Sequence, residues 1–202
     1  MERVGFTKKE LSLLRGETEE EYEHLRGAER YRNADFILYI LTVIMVAFAV
    51  RTFIAEPIRV DGDSMFPTLL DGEHMFVEKL SYWWGEPQRG EIVICYYPGY
   101  DESCVKRVIA LPGETIRIEE GVVSINGVPI DEGNYWRGMI DTGVDGVTVG
   151  ENEIFVMGDN RNGSKDSRYE SVGCIPYKKV LGRVRAVVFP IHKIKSIPEE
   201  SY

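Results

Sequence analysis

CVKRVIALPG, residues 104–113, is the stretch of sequence that decides the fold. Its residues are mostly aliphatic and often β-branched, and a Pro-Gly pair ends the run, which is typical of a β-strand. Neighbouring side chains of a strand point to opposite faces, so Cys104 and Lys106 are predicted to share one face while Arg107 lies on the other. We therefore expect Lys106 to enter a cleft and Arg107 to pair with a carboxylate.

The chain beyond residue 55 repeats this pattern of short apolar segments separated by glycine- and proline-rich turns. A helical period of more than about two turns is not found there. The pattern predicts a mostly β fold, built on an antiparallel β-sheet. The other predicted strands lie within residues 56–62, 74–80, 90–98, 115–127, 151–159 and 180–191.

FILYILTVIMVAFAV, residues 36–50, contains no charged residue. As a helix it is roughly 22 Å long, against a hydrocarbon core of ~30 Å, and extension to Ile54 with Arg51 at the headgroups gives about nineteen residues. The alternative, a buried core helix, normally keeps a polar stripe. The sequence therefore predicts a single N-terminal transmembrane helix, residues 36–54, in front of the β domain.

The residues around this apolar segment indicate how it is used. Residues 47–49, Ala-Phe-Ala, have the small-x-small pattern of a signal-peptide cleavage site, but the 35 residues ahead of the segment are too long and too charged for a basic n-region. A retained signal-anchor is therefore predicted. A modest excess of arginine before the segment favours a cytoplasmic tail (1–35) and an extracytoplasmic domain (55–202) in the cell membrane.

The composition excludes several classes of function. The formal net charge of −9 over 202 residues argues against nucleic acid as a partner, because phosphate binding needs clustered Lys and Arg. Three scattered histidines and three cysteines without CxxC spacing predict no metal site. Residues 158–166 resemble a calcium loop, but Arg161 stands where an oxygen ligand is required. Phosphate-binding and dinucleotide motifs are missing, so no cofactor is expected.

The remaining chemistry is that of a serine activated by a lysine, since none of the histidines is well placed to act as a base. An ordinary lysine is only about 0.3% neutral near pH 8, so a catalytic lysine needs an apolar site that lowers its pKa. Lys106 has aliphatic neighbours and fits best. Ser103 forms an SxxK pattern with it, but i and i+3 share a face on a helix and not on a strand. Ser64, in the turn DGDSMFPTLLDG (61–72), is the better nucleophile.

Four segments of this sequence, in this order, resemble the sequence boxes of bacterial type I signal peptidases. They are SMFPTL (64–69), RGEIVI (89–94), KRVIALPGE (106–114) and GDNRNGSKDSR (158–168). One such segment would be weak evidence, whereas four in register behind an N-terminal anchor are specific. The resemblance covers residues 36 to 190.

The resemblance implies a membrane-bound serine endopeptidase of the signal-peptidase and repressor-protease β fold. It would remove signal peptides from exported preproteins on the outer face of the membrane, after small residues at −3 and −1. The implied roles are Ser64 as nucleophile, Lys106 as general base, Ser164 orienting the lysine, Asp166 and Arg168 bracing that segment, and Asp159 pairing with Arg107. The backbone N–H of Ser64 would stabilise the oxyanion. Some members have a serine where Gly62 stands here, which leaves the second oxyanion donor open.

Small substrate residues at −3 and −1 suit an extended peptide laid beside a strand edge. The residues expected to contact the substrate are Val60, Gly62, Met65, Leu69 and Val105; plain core packing is the alternative for the four apolar ones. Ser64 lies at most about 35 Å of extended chain beyond Ile54 and so works near the bilayer. Residues 82–84, Tyr-Trp-Trp, either enter the lipid interface or form an ordinary aromatic core.

Other functions compete with the peptidase. A self-cleaving repressor is disfavoured, because no helical DNA-binding module precedes the β domain. A non-catalytic anchored β module that binds exported peptides would tolerate the loss of Ser64 or Lys106. We expect a monomer whose partners are exported preproteins and membrane lipid. Cys95 and Cys104 are placed to oppose each other in a hairpin, either as free thiols, which we favour, or as a disulfide.

Overall fold

The computed structural model of the chain describes residues 7–16, 18–99, 101–136 and 138–198. A short helix α1 (Lys8–Leu14) precedes the long helix α2 (Glu19–Ala49). Helix α2 begins with a capping box, in which the Thr18 hydroxyl accepts from the backbone N–H of Glu21 and the Glu21 carboxylate accepts from the backbone N–H of Thr18. Much of the charged tail thus belongs to the same helix as the apolar segment, because this cap lies well upstream of residue 36.

The apolar part of this helix is long enough to cross a membrane. Residues Tyr31–Ile54 form a 24-residue candidate span with a mean hydropathy of 2.3, and none of it is buried. Its last residues, Val50–Ile54, form a π-helical turn. The core helix of a soluble domain buries its apolar side chains, so the buried-helix alternative does not hold.

The rest of the described chain is mostly β, as predicted. The strands form a sheet of eight, in the order β1-β2-β11-β3-β4-β9-β10 with β12 beside β11, and a sheet of four in the order β7-β6-β5-β8. Every strand pair is antiparallel. The strands are β1 Ala55–Arg59, β2 His74–Glu78, β3 Ile92–Tyr96, β4 Ser103–Ala110, β5 Thr115–Glu119, β6 Val122–Ile125, β7 Val128–Pro129, β8 Val144–Thr148, β9 Glu153–Met157, β10 Ile175–Pro176, β11 Val180–Phe189 and β12 Lys195–Ser196.

Each segment predicted as a strand contains at least one, whereas β8 and the two-residue strands β7, β10 and β12 fall outside the predicted segments. A short helix α3 (Ser81–Trp84) follows β2. Single 3₁₀ turns cover Arg161–Gly163, Tyr177–Lys179 and Ile191–Lys193.

The hairpin of β3 and β4 lies in the middle of the larger sheet. Its register pairs Val93 with Lys106 and Cys95 with Cys104. All but the last residue of β3 are buried, as is β4 from Lys106 onward. Runs of buried β-branched residues are typical of a central strand. The fold therefore places the lysine at the centre of a sheet and away from solvent.

Two of the apolar clusters matter for the site. One packs the turn after β1 onto the larger sheet and contains Val60, Met65, Leu69, Met75, Val77, Ile92, Ile94, Val184 and Val187. Another joins the two sheets around Phe155, with Ile109, Ile116, Ile118 and Met157 among its members. The first cluster holds the loop that carries Ser64.

We predict that Phe155→Ala destabilises the β domain by about 3–5 kcal/mol, because the side chain is fully buried and its loss leaves a cavity. The measurement is denaturant unfolding of the detergent-solubilised protein. Val122→Ala is the matched control, since Val122 is 49% exposed. Equal unfolding midpoints for the two variants would contradict the packing described here.

Candidate active site

Ser64 lies in the loop between β1 and β2. The two ends of this loop are joined by backbone hydrogen bonds from Val60 to Glu73 (2.8 Å) and from Gly72 to Val60 (3.0 Å). Met65 and Leu69 are buried beneath the loop, and Ser64 remains half-buried beside them. The apolar residues of the SMFPTL segment thus anchor the loop and leave the serine accessible.

Lys106 reaches Ser64 from β4. Its Nζ donates to Ser64 Oγ at 2.9 Å and to the backbone oxygen of Val105 at 2.8 Å. Only 3% of the residue is exposed. Burial lowers the pKa of Lys106 below 10.5, and this effect outweighs the opposing influence of Cys104, Asp166 and other nearby groups. The two residues implied by the resemblance as nucleophile and base are therefore in hydrogen-bond contact, and the amine lies in surroundings that favour its neutral form.

The segment after β9 holds the nucleophile loop in place. Asn160 donates from its backbone N–H to Ser64 O at 3.0 Å and from Nδ2 to Asp63 O at 3.1 Å. A Cβ at Gly158 would lie 2.4 Å from Ser64 O and 2.2 Å from Ser164 Oγ. Only glycine permits such a close approach of the two backbones.

The backbone N–H groups near Ser64 differ in their availability. That of Gly62 donates to Asp71 Oδ1 at 3.0 Å. That of Ser64 donates no hydrogen bond within the described part of the chain. The Gly62 N–H is therefore occupied, whereas the Ser64 N–H is available to a substrate oxygen.

Ser164 lies close to the pair without joining it. Its hydroxyl is buried and has no hydrogen-bond partner among the described residues. The expected hydrogen bond from Ser164 to Lys106 is not formed in this structure. The orienting role of Ser164 therefore stays a prediction, supported by its position next to Gly158 and Ser64.

Asp166 and Arg168 form a buried ion pair that braces this segment. Arg168 Nε donates to Asp166 Oδ1 at 2.7 Å and Nη2 to Asp166 Oδ2 at 2.8 Å. Asp166 Oδ2 also accepts from the backbone N–H of Gly158 at 2.9 Å, and Arg168 Nη2 donates to Arg161 O at 2.6 Å. These bonds tie the two ends of the segment together behind Ser64.

A second buried ion pair lies on the opposite face of β4. Arg107 donates to both carboxylate oxygens of Asp159, from Nε at 2.8 Å and from Nη2 at 2.6 Å, and its guanidinium lies 4.3 Å from the centre of the Tyr135 ring. The hydroxyl of Thr68 also donates to Asp159. Thr68 and Tyr135 were not predicted from the sequence, although Thr68 belongs to the SMFPTL segment.

A cleft of about 310 Å³ opens beside Ser64 and Lys106. Val60, Met65 and Val105 line it, as expected. Leu69 is fully buried in the apolar cluster under the loop. Neither Leu69 nor Gly62 is among the described residues that line the cleft. This burial favours core packing for Leu69, whose contact with substrate stays a prediction. Further lining residues, which the sequence did not single out as substrate contacts, are Ile58, Arg59, Asp61, Ile94, Tyr97, Ser103, Cys104 and Lys165.

This arrangement fits proton transfer from a serine hydroxyl to a lysine amine. Ser103 lies on the same strand as Lys106, but the amine hydrogen-bonds Ser64, which argues against the SxxK alternative. Among the described residues no group of three or more potential metal ligands occurs.

The chain is similar in sequence to known signal peptidases. The family model for signal peptidase, peptidase S26, matches residues 33–189. Signal peptidase I of Bacillus licheniformis is 38% identical over 170 residues, which cover 80% of this chain and 91% of the relative. Signal peptidase I of Leptolyngbya laminosa is 35% identical over 168 residues, covering 79% of this chain and 81% of that protein.

A solved structure is also similar, namely the crystal structure of a signal peptidase I from Enterococcus faecalis V583. It is 32% identical, has a TM-score of 0.40, and the match covers 48% of this chain and 96% of that one. The family match spans most of the chain and the relatives are matched over most of their length. The chain therefore belongs to the peptidase S26 family of signal peptidases, the membrane-associated serine endopeptidases that remove signal peptides from exported preproteins.

Proposed function

We propose that Ser64 is the nucleophile and Lys106 the general base of this signal peptidase. The observation that carries the proposal is the 2.9 Å contact between Ser64 Oγ and the buried Nζ of Lys106. A neutral amine at this distance accepts the hydroxyl proton as Ser64 attacks the scissile carbonyl. Lys106 then passes the proton to the leaving amine, and in the second half-reaction it activates the water that hydrolyses the acyl-enzyme.

The developing oxyanion is stabilised by the backbone N–H of Ser64, which has no acceptor within the described residues. A well-aimed donor of this kind contributes roughly 3 kcal/mol to the transition state. Gly62 is not the second donor through its backbone, since that N–H is bonded to Asp71. Asp166, Arg168, Asp159 and Arg107 act indirectly, because their ion pairs hold the loops on either side of Ser64.

The substrate binds as an extended strand between two strand edges. Within the described residues β1 pairs only with β2, and residues 103–106 of β4 pair only with β3. Both edges border the cleft and can pair with a peptide backbone. Alternate residues of an extended peptide face the same side, so the −1 and −3 side chains point together into the apolar wall formed by Val60, Met65, Ile94 and Val105. A shallow wall of this kind accepts small side chains.

The chain is organised as a cytoplasmic tail (1–35), a transmembrane signal-anchor (36–54) and an extracytoplasmic protease domain (55–202). The candidate span at Tyr31–Ile54 and the modest excess of arginine before it support this topology. Residues 1–6, 17, 100, 137 and 199–202 of these segments lie outside the described residues. The enzyme acts as a monomer, because one chain supplies both members of the catalytic pair.

Membrane lipid is the second partner. Trp84 is 83% exposed, and Trp83 is 55% exposed and lies edge-on to Phe53, with ring centroids 6.3 Å apart. Phe53 belongs to the last turn of the candidate span. Tryptophan is favoured at the membrane interface, so these rings rest in the headgroup region and hold the cleft near the bilayer.

We predict that the detergent-solubilised protein cleaves a preprotein after an Ala-x-Ala sequence, and that Ser64→Ala and Lys106→Ala variants do not. Lys106→Arg is also expected to be inactive, because a guanidinium stays protonated and cannot act as a base. Cleavage is measured by the mass of the released mature protein. Lys178→Ala, a change of an exposed lysine, is the matched control and keeps activity.

The variants need circular dichroism spectra like that of the wild type for this comparison to count. Equal cleavage by all of them would mean a different nucleophile or a contaminating protease. Retained binding of the preprotein without cleavage by the wild type would favour a peptide-binding module.

Activity is predicted to rise with pH between about pH 6 and pH 9. Burial lowers the pKa of Lys106, and only the neutral amine is a base, so the active fraction increases as the pH rises towards that pKa and then levels off. The measurement is kcat/KM for a short fluorogenic peptide substrate, with the log of kcat/KM plotted against pH. A flat profile over this range would rule out lysine as the base.

We predict that Trp84→Ala weakens binding of the β domain to lipid vesicles without changing kcat for a short soluble peptide. The reason is that the indole contacts lipid and lies outside the cleft. A protein lacking the anchor, beginning at residue 50, would be tested by vesicle sedimentation after its folding is verified by circular dichroism. Tyr169→Ala, which changes an exposed aromatic residue elsewhere in the domain, is the control. Unchanged sedimentation of Trp84→Ala would contradict the lipid contact.

A further inference from the structure

Two thiols meet in the wall of the cleft. Cys95 and Cys104 are directly opposite each other on β3 and β4, and their Sγ atoms are 3.6 Å apart. Cys104 Sγ also contacts the backbone oxygen of Cys95 at 3.3 Å. Both cysteines are free, and so is Cys174, which packs against a different apolar cluster. The proposed reaction of Ser64 and Lys106 uses neither Cys95 nor Cys104.

The two thiols differ in access. Cys95 is fully buried, whereas Cys104 is half-buried and lines the same cleft as Ser64 and Lys106. A small molecule in the cleft can therefore reach Cys104 and not Cys95. Any group attached to Cys104 projects into the space that the substrate occupies.

They also differ in reactivity. The pKa of the Cys104 thiol is lowered, mainly by its hydrogen bond with Cys95 and further by one with Tyr97. The same hydrogen bond, together with burial, raises the pKa of Cys95. The thiolate is the reactive form of cysteine, so Cys104 is the attacking thiol and Cys95 the one that resolves the product.

We propose that Cys104 and Cys95 form a dithiol modification site in the wall of the substrate cleft, which reacts with low-molecular-weight disulfides and closes to a Cys95–Cys104 disulfide. The extracytoplasmic side of a membrane, where this domain is proposed to lie, is an oxidising environment that supplies such disulfides. Opposition across the hairpin and the 3.6 Å separation mean that closure needs only side-chain rotation.

The reaction balances as two exchange steps. The Cys104 thiolate attacks one sulfur of the small disulfide, forms a mixed disulfide and releases one thiolate. Cys95 then attacks Cys104 Sγ and gives up its proton as the second small thiolate leaves. Two protein thiols are oxidised, and one small disulfide is reduced to two thiols.

These two exchange steps keep the cleft free of a lasting adduct. A lasting adduct on Cys104 would stand beside Lys106 and exclude substrate, whereas the internal disulfide removes the adduct and leaves the cleft open. The effect on cleavage rests on the proposed catalytic role of Ser64 and Lys106. The covalent chemistry does not rest on it.

The test uses the full chain in detergent with Cys174→Ser as the background, and 5,5′-dithiobis(2-nitrobenzoate) as the disulfide. We expect two equivalents of coloured thiolate, an intact mass lower by two hydrogens, and retained peptidase activity. With Cys95→Ser added, we expect one equivalent, a mass raised by one adduct, and a loss of cleavage of at least about tenfold that dithiothreitol reverses. With Cys104→Ser instead, Cys95 is expected to react only on unfolding.

A stable adduct on Cys104 in the protein that retains Cys95 would overturn the proposal, and so would fast reaction of Cys95 in the Cys104→Ser protein. The amount of thiolate released and the intact mass of the protein can both be measured whether or not the protein has peptidase activity. An inactive enzyme that still closes the disulfide would therefore refute the proposed function and leave the dithiol site standing. Full cleavage by the Cys95→Ser adduct would refute the placement of Cys104 in the substrate path.

Discussion

The contact between the Lys106 amine and the Ser64 hydroxyl is the interaction on which the rest of the structure depends. A lysine is useful as a base only when it is neutral, and an amine in water at neutral pH is almost wholly protonated. The protein therefore has to place the amine in an apolar interior and still leave it in reach of substrate. The centre of the larger sheet provides the burial, and the half-buried loop that carries Ser64 provides the access.

The same requirement explains the two buried ion pairs. Asp166 and Asp159 both lie near enough to Lys106 to raise its pKa, which opposes the effect of burial. Each carboxylate is bonded to a guanidinium, Asp166 to Arg168 and Asp159 to Arg107. Pairing offsets much of the negative charge that the amine would otherwise experience. The carboxylates can thus hold the loops together while the lysine keeps a lowered pKa.

The position of the β domain along the chain fits its substrate. A short stretch of chain joins the candidate span to the nucleophile loop, and exposed tryptophans lie beside the end of the span within the same compact unit. A signal peptide is itself an apolar segment held in the bilayer, so its cleavage site emerges close to the surface. A short tether and the proposed aromatic contact with lipid suit a cleft that has to work there.

The sequence by itself determined most of the strands and the candidate span, and it singled out the serine and the lysine that we propose as the catalytic pair. These depend on patterns among near neighbours: a period of two, an unbroken apolar run, and a lysine with aliphatic residues around it. The apolar segment predicted as the transmembrane helix begins at residue 36, but the helix itself begins at Glu19, where a capping box starts it. Capping depends on particular side chains and is easily missed when the apolar pattern is followed.

Only the tertiary structure decided which of the predicted residues meet. Ser64 and Lys106 are 42 positions apart, and Thr68 and Asp159 are 91 apart, so neither contact follows from local spacing. Leu69 and Met65 belong to the same short segment, yet one lies wholly in the core and the other also borders the cleft. Local sequence specifies the face of a strand or the start of a helix. The partner across that face is specified by how distant segments pack. This packing brings Ser64, Lys106 and Cys104 together in one cleft, with Cys95 buried behind Cys104.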